Sequence, residues 1–87
     1  MPTIYADRLY RFLAELGESA NSHNLLAAGE RIEFAKRHYV VPLTSEFLGV
    51  SMLALKDILS EHREILTTEQ ITRAEEYVTE IKRQFFS

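Results

Sequence analysis

Apolar residues recur at steps of three and four along most of this chain, the period of an α-helix buried on one side. The last segment shows it most plainly. Ile71, Ala74, Val78, Ile81 and Phe85 form one stripe, with Tyr77 beside it and charges elsewhere. Thr67 and Gln70 stand at capping-box spacing ahead of the stripe, each side chain placed to satisfy the other residue's free backbone N–H, and Leu66 is placed to staple onto Ile71.

The first segment, from about Thr3 to Leu16, puts Tyr5, Leu9, Phe12, Leu13 and Leu16 on one side and Arg8, Arg11 and Glu15 on the other. Gly17 is expected to end it as a left-handed cap. The polar run from Glu18 to Asn24 then reads as a loop, with Asn21 or Ser22 as N-cap of a second helix that continues to about Tyr39. Leu25, Ala28, Ile32, Ala35 and Tyr39 make its stripe, and Gly29 borders it, small enough to let another helix approach closely.

Tyr39-Val40-Val41-Pro42-Leu43 has the β-branched and aromatic content of a strand. A single strand has no ladder partner in this chain, so the segment is read as an extended connector packed on the bundle, with Pro42 biasing Val41 away from helix. Thr44 or Ser45 caps a third helix that runs to about His62, with Glu46 near the positive end of its dipole. The pattern predicts an all-α fold, a small antiparallel bundle of about four helices forming a single domain over 1–87.

Two helices carry more apolar residues than a one-sided stripe requires. In the third, Phe47, Leu48, Met52, Ala54, Leu55, Ile58 and Leu59 take the core side, while Val50 and Leu53 fall opposite, with Lys56 and Asp57. In the second, Leu26 and Phe34 lie off the stripe among Glu30 and Arg37. Either the bundle encloses these residues, helped by the Val40 to Leu43 connector and Phe86, or they form a partner surface of aromatic and aliphatic residues rimmed by charge. Fully burying one Leu or Phe side chain is worth about 1.5 to 3 kcal/mol, so exposing several in a small domain is costly without a partner.

At 87 residues the chain has no cysteine, which removes disulfides, thiolate nucleophiles and thiolate-bound zinc and leaves packing alone to stabilise the fold. Its 46% hydrophobic and 26% charged residues are ordinary for a globular domain. Asp7, Arg8 and Arg11 interrupt the N-terminal apolar residues, so no secretory signal is indicated, and no apolar run approaches the roughly 20 residues of a membrane span. A cytoplasmic setting without membrane contact is expected.

The net charge of −3 is concentrated in the second half, where from Thr44 onward eight acids face five bases. Phosphate-binding surfaces need the opposite sign, which disfavours nucleic acid as a partner. The one basic concentration, Arg31, Lys36, Arg37 and His38, sits near a helix end, where charge complementarity with the dipole accounts for it, and the connector that follows is too long and apolar for a helix-turn-helix.

His23 falls in the predicted loop, and His38 and His62 fall near helix C-termini, where a cation meets the negative end of the dipole. No Glu is followed by His three residues later, so the di-iron bundle pattern is missing, as are HExxH and Gly-rich phosphate loops. No Gly-x-Ser-x-Gly elbow marks a nucleophile, and the carboxylate pairs Glu30 with Glu33 and Glu61 with Glu64 have arginines nearby that suit ordinary ion pairing. No catalytic residue, metal site or cofactor is predicted. The last helix presents Glu69, Glu75, Glu76 and Glu80, an acidic face suited to steering a basic protein.

The stretch Ser45-Glu46-Phe47-Leu48-Gly49 through Leu55, followed by Leu66-Thr67-Thr68-Glu69-Gln70, resembles small helical bacterial proteins, some of them toxin-immunity proteins. The resemblance implies an acidic bundle that occludes a basic nuclease toxin. It carries over no site residue. The expected function is therefore a non-enzymatic protein-binding module. Leu26, Phe34, Val50 and Leu53 are its expected anchors, Asp57 lies beside them, and Glu75, Glu76 and Glu80 are expected to steer. A homodimer using the same surface in a structural or regulatory task is the alternative.

Overall fold

A computed structural model describes residues 4–40 and 43–85. Four α-helices run through them: α1 over Ala6–Ser22, α2 over Leu26–Arg37, α3 over Ser45–Glu61 and α4 over Thr68–Phe85, with one 3-10 turn at Arg63–Ile65. The described residues contain no strand, and the helices pack on one another as a small all-α bundle. Val41, Pro42 and Phe86, and the Phe85 side chain, lie outside the described residues.

The capping box forms as its spacing requires. The Thr67 backbone N–H donates to Gln70 Oε1 at 3.0 Å, and the Gln70 N–H donates to Thr67 Oγ1 at 3.1 Å. Thr44 caps α3, its hydroxyl accepting from the Phe47 N–H at 3.2 Å.

The first turn differs from expectation. Gly17 does not end α1; the helix continues to Ser22, and Asn24 takes the left-handed conformation, with φ of 57°. Ala20 extends the buried series Leu9, Phe12, Leu13, Leu16 by one more helical step, so stopping at Gly17 would have left a core position unfilled. Asn21 and Ser22 thus belong to the last turn of α1, and Leu25 precedes α2 without a side-chain cap. What Gly17 supplies is clearance, since a Cβ there would stand 3.4 Å from Ile32 Cγ2. Gly29 allows a still closer approach: a Cβ would lie 2.8 Å from Asn21 Oδ1.

These contacts fix an antiparallel register, because Tyr10 stacks on Tyr39 at 4.7 Å, Gly17 faces Ile32 and Asn21 faces Gly29. The close backbone approaches are between consecutive helices. α1 and α4 meet instead through longer side chains: Phe12 stacks on Tyr77 at 5.5 Å, the Arg73 guanidinium lies 4.6 Å from the Phe12 ring, and Gln70 Nε2 donates to Glu15 Oε2 at 2.9 Å.

One hydrophobic cluster draws on all four helices, among them Leu9, Phe12, Ile32, Phe47, Leu55, Ile58, Ala74 and Ile81. Tyr39 and Leu43 pack against it from the connector, whereas Val40 is exposed. Ser51 shares the buried face of α3, and its Oγ has no hydrogen-bond partner among the described residues. A buried hydroxyl left this way costs about 1 to 3 kcal/mol.

Candidate interaction surface

α2 and α3 run antiparallel, tied by an ion pair between Arg31 and Asp57. One helical turn from that pair, toward the C-terminus of α2 and the N-terminus of α3, Phe34 and Leu53 come to the same height on the two helices. Both are more than half exposed, at 51% and 64%. Between the helices lies an open groove of about 1080 Å³, lined by Phe34, Val50, Leu53 and Ala54 and edged by Glu30, Arg31, Arg37, Lys56 and Asp57. A second concavity shares Val50 and Leu53 and continues the apolar strip past Gly49 and Met52.

The expected anchors therefore gather, with two refinements. Val50 is half-buried and packs against the core, so it forms the floor of the groove and not an outward anchor. Leu26 is 72% exposed but is not among the residues that line the groove.

The expected steering acids lie elsewhere. Glu75, Glu76 and Glu80 line a second groove of about 600 Å³ between α1 and α4, together with Tyr5, Arg8, Arg73 and Tyr77. In a bundle where α2 abuts α3 and α1 abuts α4, this groove is on the opposite side from the first. Glu80 is not part of a solvated face at all. It is only 6% exposed, and its carboxylate accepts from Arg83 and from Gln84, the latter at 2.9 Å. Its position on α4 falls beside Tyr77 and Ile81, and it lines the groove together with Ile4 and Tyr5, so helix phase draws it inward. Glu75 is exposed but ion-paired with Arg63 at 2.8 Å, and Glu69 and Glu15 both stand within ion-pair reach of Arg73, at 4.0 and 3.8 Å. Burial in this groove raises the Tyr77 hydroxyl above its ordinary pKa, against the opposing pull of Arg73 and Arg8.

The basic concentration of the second helix is dispersed. Arg31 is held by Asp57, and Lys36 pairs with Glu33 at 3.1 Å and reaches over the Tyr10 ring. The arginines beside the carboxylate pairs thus bind other acids: Arg31 takes Asp57, and Arg63 takes Glu75.

His38 and His62 are the C-caps of α2 and α3, and His23 does the same for α1. His23 and His38 each bond through Nδ1 to the carbonyl four residues earlier, of Ser19 at 2.8 Å and of Phe34 at 2.9 Å, which requires the proton on Nδ1. Among the described residues no cluster of His, Cys, Asp and Glu side chains is arranged to hold a metal ion, and no helix is long and apolar enough to cross a membrane. No protein-family model, curated protein or solved structure matches this chain.

Proposed function

We propose that this protein acts by binding a protein partner through the α2–α3 groove, with no chemistry of its own. One observation carries the reading: Phe34 and Leu53 stand exposed at a common height over a floor of Val50 and Ala54, while Phe12, Phe47, Leu48 and Leu55 are fully drawn into the core. A partner that buried the exposed half or more of each anchor would gain about 1 to 2 kcal/mol from each. The mixed charges around the groove form the polar rim of a protein interface.

A basic toxin, the partner that the sequence resemblance implies, would meet a rim of mixed sign at this groove. The acids expected to steer it are on the other side of the bundle and are largely engaged by arginines, which leaves Glu76 as the steering acid without an ion pair among the described residues. Recognition at the α2–α3 groove then rests on apolar fit.

The test is site-specific photo-crosslinking in the native cell. A photoreactive phenylalanine analogue at Phe34 should give a discrete adduct that the same analogue at exposed Lys82 does not, and Leu53→Asp should abolish that adduct while the helical circular dichroism is unchanged. Equal labelling from both positions, or unfolding by Leu53→Asp, would overturn the reading.

A further inference from the structure

We infer that the occupant of the α2–α3 groove is a second copy of this chain, docked about a two-fold axis parallel to the helices. The inference rests on the reading of that groove as a protein-binding face and names its partner. Such an axis preserves height along the bundle and exchanges left for right, so α2 of one copy lies on α3 of the other. Phe34 and Leu53 share one height, and each would therefore meet the other residue's counterpart in the second copy.

The rim charges fit the same operation. Glu30 adjoins Arg31 on α2 and Lys56 adjoins Asp57 on α3, and the Arg31–Asp57 pair sets the two at a matching level. Glu30 and Lys56 are exposed and neither has an ion pair within the chain among the described residues, although both edge the groove. Two-fold pairing places each Glu30 opposite the other copy's Lys56. The rim thus presents opposite charges to itself where a partner of uniform sign would meet repulsion from one of them. In the opposite groove, by contrast, Glu75, Glu80 and Arg73 already have partners in their own chain.

Sedimentation equilibrium from low micromolar to near-millimolar concentration reads the association, and charge reversal reads its geometry. Wild type should show a monomer–dimer equilibrium. Glu30→Lys alone and Lys56→Glu alone should each weaken it about tenfold, since each turns two attractions into two repulsions. The double reversal should restore the wild-type constant. All three variants alter exposed side chains, and circular dichroism checks that they fold. A monomer at every concentration overturns the self-pairing while leaving the face open to a different protein, which the Phe34 cross-link reads independently. Dimers that Leu53→Asp breaks but the double reversal does not restore overturn the two-fold pairing and keep the face. Dimers indifferent to Leu53→Asp overturn both.

Discussion

The two grooves of this bundle are made of similar parts and differ in how far those parts engage one another. Between α1 and α4, aromatic rings and an arginine close on one another: Phe12 on Tyr77, Arg73 on Phe12 and Glu15. Between α2 and α3, the Arg31–Asp57 ion pair spans the gap, and Phe34 and Leu53 remain exposed beside Glu30 and Lys56, which have no ion pair among the described residues. Long side chains can bridge helices that stand apart, as Gln70 and Arg73 do here, although Tyr5 in the same groove stays half exposed. Where short aliphatic and aromatic residues line the gap instead, an apolar groove stays open at the surface.

The sharpest way to break this contrast is to truncate one ring on each side. Phe12→Ala should lower unfolding free energy by about 3 to 5 kcal/mol in urea denaturation, because it opens a cavity in the core. Phe34→Ala should change it by less than about 0.5 kcal/mol, as expected of a surface position. Equal losses would mean that the α2–α3 groove is part of the core.

A smaller difference is expected from the cations. Arg73→Ala removes two weak ion pairs and a ring contact and should cost about 1 kcal/mol, less at high salt. Lys56→Ala should leave monomer stability within about 0.5 kcal/mol of wild type. Thermal melts of both at two salt concentrations check the pair.

The smallest effect concerns Tyr77. Its hydroxyl titrates higher in the folded protein than in the unfolded chain, chiefly because burial disfavours the phenolate. Below pH 10 the hydroxyl is neutral in both states and its contribution to stability does not vary. As pH rises past 10, the unfolded chain loses the proton first, so stability falls until the folded pKa is passed. Tyr77→Phe should therefore lose less stability than wild type between neutral pH and the alkaline range, measured by denaturant midpoint at each pH. An identical slope would place the hydroxyl in free solvent.

The helices were legible in the sequence because each buries a stripe with the period of its own backbone, and the capping box at Thr67 and Gln70 depends only on local geometry. Phe34 and Leu53 were legible for the converse reason, being apolar residues out of phase with their stripe. Gly17 misled because a glycine after an apolar run has two uses, a left-handed turn and clearance for a neighbouring helix, and only the position of Ile32 distinguishes them. Glu80 misled because a carboxylate at the edge of a stripe is inside or outside according to what packs around it, and the groove it lines is shared with Ile4 and Tyr5, far away in the sequence. Ser51 gave no signal at all: a small polar residue on an apolar helix is ordinary until its neighbours close around it.

The succession of close approaches, each helix against the next, also governs how the chain finds this arrangement. Each of these seams joins helices separated by seven residues or fewer, so little loop entropy is lost before it begins to form, and a chain of such low contact order is expected to fold within microseconds to milliseconds. The first and last helices need only be brought together by their side chains once the three hairpins are in place, which makes the seam between them the natural last step of assembly and the first to part when the protein breathes.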